Sequence, residues 1–138
     1  MLKLEVVLVP VTDVDRALAF YEQKLGFALD VDYRPSSQFR VVQLTPPGSA
    51  CSIQLVRHGS SPHPLGLYLV TDDIVATRDA LIGRGVDVTE LRHKVPVDSW
   101  EGAFDAGIDP QRRDYATFAD LCDPDGHRWT LQERGYHA

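Results

Sequence analysis

Leu4–Phe27 reads LEVVLVPVTDVDRALAFYEQKLGF, and Leu65–Val88 reads LGLYLVTDDIVATRDALIGRGVDV. Each segment runs through an apolar strand pattern, Thr/Asp punctuation, a helical pattern, and a glycine followed by an apolar residue. Asp13 matches Asp73 and Gly26 matches Gly85 at nearly the same separation, so the chain carries one pattern twice. Leu4–Val11 is rich in valine and reads as a strand buried on much of both faces. Thr12 is placed to cap the helix that follows, with Asp13 and Asp15 in its first turn, where the helix dipole favours them. Val14, Ala17, Leu18, Tyr21 and Leu25 then share one helical face, and Gly26 stops it. In the second copy Thr71 or Asp72 is the expected cap. Ile74, Thr77, Arg78, Leu81 and Ile82 form a less apolar stripe, and Gly85 ends it.

More strands follow each helix. In the first copy they are expected at 28–33, 39–44 and 51–56, with Pro35 and Pro46-Pro47-Gly48 marking turns. In the second they are expected at 87–91, 115–122 and 127–132, the last one entered through Asp123-Pro124-Asp125-Gly126. Asp123 and Asp125 read as turn formers, and Gly126 supplies the positive φ. The expected fold class is α+β: one domain over 1–138, built of two βαβββ modules at 1–58 and 64–135. A single helix leaves one sheet face of each module uncovered, and two curled sheets sharing a cleft would solve that.

At 138 residues, 43% hydrophobic and 25% charged, the chain is long enough to bury a core without staples. A net charge of −6 argues against nucleic acid, which demands clustered Lys and Arg, and is compatible with a cationic ligand. Cys51 and Cys122 are far apart in sequence, and no secretory h-region is visible. Both are therefore read as reduced, buried and structural in a cytoplasmic protein. No apolar run approaches membrane-spanning length.

The paired modules, the openings VVLVPVTDVDRALAFYEQKLGF and GLYLVTDDIVATRDAL, and the closing DPDGHRWTLQE together resemble the vicinal oxygen chelate superfamily. That group holds glyoxalase I, extradiol dioxygenases, fosfomycin-resistance enzymes and bleomycin-binding proteins. The resemblance spans essentially the whole chain and implies the curled two-module fold. Metal-dependent members place a ligand on the first and last strand of each module. Carried over by register, those slots hold Val6, Gln54, Gly66 and Thr130. Val6 and Gly66 offer no side-chain donor, and Gln54 and Thr130 are neutral oxygens, weak for Zn, Ni or Fe. A one-residue shift brings in Glu5 but turns it to the other sheet face. No metal or other cofactor is therefore expected.

His58, His63, His93, His127 and His137 fall in loops, at a strand start or near the terminus, without H-x-x-x-H or H-E-x-x-H spacing. His127 reads as a surface turn residue, and Trp129, opposite Thr130 by alternation, as core. Phe20, Tyr21 and Phe27 read as core too. The longest connection, 92–114, carries Trp100 and Phe104 and is read as a lid or wall, an oligomer contact, or mobile surface. Within it Arg112 and Arg113 either orient an anion or pair with Asp109 and Asp114. Leu4, Val6, Leu8, Gln54 and Thr130 are expected in the cleft, with some of Gln43, Tyr68, Tyr115 and Thr117. The candidate ligand-binding set is Val6, Gln54, Tyr68, Trp100, Tyr115 and Thr130.

Three functions compete. One is metal-free binding of a small molecule, in the manner of drug or natural-product sequestration. A second is a lyase, isomerase or dioxygenase reaction through an unusual metal site or through Glu5, Tyr115 or His93. The third is a regulatory module with a vestigial cleft. A homodimer is expected, because two-module relatives commonly pair and strand edges need cover.

Overall fold

The structure, a computed structural model, describes residues 1–96 and 103–138. β1 (Val6–Val11), α1 (Val14–Ala19), β2 (Ala28–Ser36), β3 (Phe39–Thr45) and β4 (Ser52–Arg57) are followed by β5 (Gly66–Thr71) and α2 (Ile74–Gly83). After α2 come β6 (Arg92–Val95), β7 (Ala103–Ala106), β8 (Thr117–Cys122) and β9 (Arg128–Glu133). One four-stranded sheet has the order β1-β4-β3-β2 and a five-stranded sheet the order β5-β9-β8-β6-β7. In each, the module's first strand pairs parallel to its last, and every other pairing is antiparallel. The fold is α+β. Among the described residues no helix is long and apolar enough to cross a membrane.

The chain separates into two compact units. One is 1–65 together with 123–126; the other is 66–122 together with 127–138. The Asp-Pro-Asp-Gly turn thus packs as part of the first unit although both strands it connects lie in the second. Its grip is polar: the Tyr21 hydroxyl donates to Asp123 Oδ2 at 2.6 Å, and Thr12 donates to Asp125 Oδ1 through its amide (3.2 Å) and its hydroxyl (2.7 Å). Asp125 N donates to Asp123 Oδ1 at 2.9 Å, and Gly126 takes φ 85°. The two aspartates are turn formers, as their spacing indicates, and anchors as well.

In the first unit, alternation sends Val9 and Val11 of β1, Val42 and Leu44 of β3, and Ile53 and Leu55 of β4 to one face, where all are buried with Ala17, Tyr21 and Leu25. Tyr21 is fully buried between Phe20 and Phe27, with ring centroids at 5.3 and 5.7 Å. The helix that presents them widens after Ala19 into a wider turn over Phe20–Lys24, where Leu25 N donates to Phe20 O. In the second unit Ile74 and Leu81 of α2 are buried, as are Ala119 and Leu121 of β8 and Trp129 and Leu131 of β9.

Several expectations change. The helix caps are Asp13 and Asp73, whose side chains accept from Arg16 N and Ala76 N at 3.1 Å each. Thr12 is drawn away to Asp125, and the Thr71 hydroxyl pairs with Thr77 at 2.7 Å. Residues 87–91 form no strand. Arg78, inside the helical stripe, donates through Nε to Thr89 O (2.8 Å) and through Nη2 to Val88 O (3.4 Å), taking carbonyls that a ladder would need. The strand next to β8 is instead β6, paired with β7 as a hairpin inside the stretch expected to be a long loop. His127 is fully buried rather than at the surface, Cys122 is exposed, and Cys51 is half-buried. Ile82 is 44% exposed and outside the core.

Candidate functional site

Each sheet has a second face that its own helix does not cover. On the first sheet, pairing of Val6 with Ser52, Leu8 with Gln54, and Gln54 with Gln43 puts these side chains on one face. Leu8 is 57% exposed, while Val6 and Gln54 are half-buried. Gln54 Nε2 donates to Gln43 Oε1 at 2.9 Å, which orients both amides. Each amide keeps further donor and acceptor capacity. Val56, Tyr33 and Phe39 add exposed apolar surface. Beside this face lies a cavity of about 870 Å³ bordered by Phe39, Val41, Gln54, Val56, Arg34 and Arg57, which reaches the start of α1. Arg40 borders it from the α1 side of the sheet, held by Asp15 (2.7 Å) and bidentately by Asp32 (3.0 Å to each oxygen). The hydrogen bond from Arg40 holds the Asp32 carboxyl below its ordinary range.

The open face of the second sheet follows from its own register: Tyr68 pairs with Thr130, Thr130 with Asp120, and Phe118 with Arg92. Tyr68 is 63% exposed, whereas Thr130 is buried and donates its hydroxyl to Asp120 Oδ1 at 2.8 Å. Asp120 also takes Arg92 Nη1 on Oδ2 at 2.9 Å. Above the Arg92 guanidinium lie the rings of Phe104 and Phe118, at 5.0 and 5.7 Å to their centroids. Asp120 was not among the residues singled out from the sequence, and Arg92 and Phe104, expected in the long 92–114 connection, stand in β6 and β7. The available signal was a charge inside the apolar run TFADLC, which on a sheet face signals a partner.

The other candidates divide. Trp100 lies outside the described residues. Tyr115 precedes β8 at φ 62°, is 47% exposed, and has Arg134 Cζ at 5.8 Å from its ring centroid. Thr117 is fully buried on the opposite face, its hydroxyl accepting from Asp109 N at 3.1 Å. Arg112 and Arg113 are structural anchors. Arg112 donates to Glu133 through Nε (2.9 Å) and Nη2 (2.6 Å) and stacks on Tyr136 at 3.4 Å, while Arg113 holds Asp109. The hydrogen bond from Arg113 holds the Asp109 carboxyl well below the usual carboxylate range.

The residues in the four slots do not fit a transition metal. Val6 and Gly66 have no donor side chain, the Gln54 amide is tied to Gln43, and the Thr130 hydroxyl points its proton at Asp120. Asp120, the nearest carboxylate on the Thr130 face, is paired with Arg92. Among the described residues no three His, Cys, Asp or Glu side chains are grouped to hold an ion.

The model of the Glyoxalase/Bleomycin resistance protein/Dioxygenase superfamily matches residues 3–131. No curated protein sequence matches. Among solved structures, TnmS3, an antibiotic binding protein from Streptomyces sp. CB03234, is 29% identical. Its alignment covers 96% of each chain with a TM-score of 0.70. A glyoxalase/bleomycin resistance protein from the same organism is also 29% identical, covering 94% of this chain and 99% of its own with a TM-score of 0.67. A superfamily member from Sphaerobacter thermophilus DSM 20745 shares the fold at 24% identity and a TM-score of 0.71, covering 97% of this chain and 98% of its own. The chain belongs to the Glyoxalase/Bleomycin resistance protein/Dioxygenase superfamily.

Proposed function

We propose that this protein binds a small organic molecule reversibly and sequesters it, without a catalytic metal. The observation that carries this reading is the make-up of the two open sheet faces: exposed apolar side chains around a few oriented polar groups, Gln54–Gln43 on one and Thr130–Asp120 on the other. That is the ordinary composition of a small-molecule site. The likeness to an antibiotic binding protein supports it. Val6, Gln54, Tyr68 and Thr130 belong to the binding surface, and Trp100 and Tyr115 are candidate stacking walls. The two modules, 1–58 and 64–135, act as one domain, and the active form is a cytoplasmic homodimer.

A lyase, isomerase or dioxygenase reaction has weaker support. Glu5 is exposed ahead of β1, Tyr115 precedes β8, and His93 in β6 keeps Nδ1 at 2.9 Å from Gly107 O.

Purification without chelator, followed by elemental analysis and native mass spectrometry, tests the reading. A co-purifying organic molecule with no stoichiometric transition metal is expected. Gln54→Leu and Thr130→Val should weaken its retention while circular dichroism stays unchanged. Stoichiometric metal on these faces, or retention indifferent to both substitutions, would overturn the proposal.

A further inference from the structure

We propose that the open face of the second sheet anchors a planar aromatic ligand bearing a hydroxyl group. The ring stacks on the shelf made by Phe104 and Arg92, and the hydroxyl donates to Asp120. The inference rests on the small-molecule reading above and assigns it a chemical class and an anchor.

Asp120 sits in mid-strand, where a charge is costly unless something holds it. Three contacts hold it: Thr130 Oγ1 at 2.8 Å and Arg92 Nη2 at 3.5 Å on Oδ1, and Arg92 Nη1 at 2.9 Å on Oδ2. The side chain still keeps 20% of its surface open. A carboxylate accepts about four hydrogen bonds, so acceptor capacity remains for a donor arriving from the open side. The pair is neutral as a whole. An anion would meet the carboxylate, and a cation would have to displace Arg92. A neutral donor avoids both costs, and a hydroxyl bonded to a carboxylate is among the stronger hydrogen bonds.

The aromatic half of the shelf is equally specific. Phe118 is 6% exposed and forms the floor, while Phe104 stands edge-on to it at 5.8 Å and is 46% exposed. Arg92 Cζ lies over the Phe104 ring at 5.0 Å, and the exposed remainder of this stacked pair suits a flat π system, which gains both stacking and cation–π attraction. Tyr68, in register with Thr130, adds an exposed ring and hydroxyl on the same face. If the Arg92–Asp120 pair served only to brace β6 against β8, the aromatic flank and the retained exposure would be idle.

The test compares 2,6-dihydroxynaphthalene with 2,6-dimethoxynaphthalene by fluorescence titration of the full chain. The dihydroxy probe should bind about tenfold tighter, because the methoxy compound cannot donate to Asp120. In Asp120→Asn that ratio should fall to about twofold, because a neutral amide is a weaker acceptor and shares its capacity. Phe104→Ala, at a half-open side chain where folding should be preserved, should weaken both probes in parallel by about fivefold. Failure of the dihydroxy probe to bind at about 1 mM, or affinities untouched by both substitutions, would overturn the anchor. Binding that depends on Gln54 but not on Asp120 or Phe104 would remove this inference while leaving the small-molecule reading in place.

Discussion

Two buried carboxylates show how single residues divide the labour. Glu133 closes β9 with no exposed surface, accepts from Arg112 on both oxygens, and takes the Ile74 amide at 2.9 Å. It thereby serves the buried first amide of α2 as well as the guanidinium. Removing one partner of such a pair strands the other, so Glu133→Ala should cost about 3 kcal/mol in urea denaturation. Asp109 is also fully buried and accepts from the side chain and amide of Arg113. Its folded-state proton affinity is depressed, chiefly by that side-chain hydrogen bond. The unfolded chain therefore binds the proton more readily. The stabilisation is complete above the unfolded carboxyl value near 4 and is lost as pH falls below it. Stability of the native chain should decline from about pH 5 downward, and Asp109→Asn should flatten that decline. An unchanged slope in denaturation series across pH would contradict this.

At the scale of elements, periodicity located most strands and both helices, whereas partners decided the boundaries. The match of Asp13 with Asp73 proved to be a match of helix caps, and that of Gly26 with Gly85 a match of positive-φ stops at 77° and 87°. Val86 and Val88 are buried with Asp87 exposed between them, as in a strand. Yet Arg78 occupies the carbonyls of Val88 and Thr89. No local pattern shows where an arginine eleven residues upstream will reach. The Asp123–Gly126 turn was legible as a turn, but not as a clasp on Tyr21 and Thr12. Tyr21→Phe should remove the hydroxyl bonded to Asp123 and cost about 1–3 kcal/mol, measured by thermal and urea unfolding. A loss below about 0.5 kcal/mol would mean that the clasp contributes little.

For the whole molecule, the exposed side chains are the informative ones. Leu8, Tyr33, Phe39 and Val56 on the first sheet, and Tyr68, Val70 and Phe104 on the second, are all exposed. Contiguous apolar patches on a small protein mark contacts with ligands or partners. Sedimentation at micromolar concentration should therefore give a dimer, and a purely monomeric profile would count against the proposed assembly. The residues carried over to the metal-ligand slots were readable in the sequence, and two of them, Val6 and Gly66, cannot coordinate through side chains. The shelf of Phe104 and Arg92 was not readable, since it depends on a β6–β7 hairpin inside a segment with loop composition.

The sequence by itself determined that the chain repeats a strand–helix–strand plan, that its class is α+β, and that two of the four positions expected to hold metal ligands, Val6 and Gly66, carry no side-chain donor. These properties reside in residue type and short-range periodicity, which need no partner. Tertiary structure alone decided the rest. It set which acid caps each helix, which module holds the closing turn, why an arginine sits in a helical stripe, and which carboxylate stands beside Thr130. Each of these is a pairing between residues distant in the chain, and hydrogen-bond partners at that range are chosen by the folded geometry rather than by local preference.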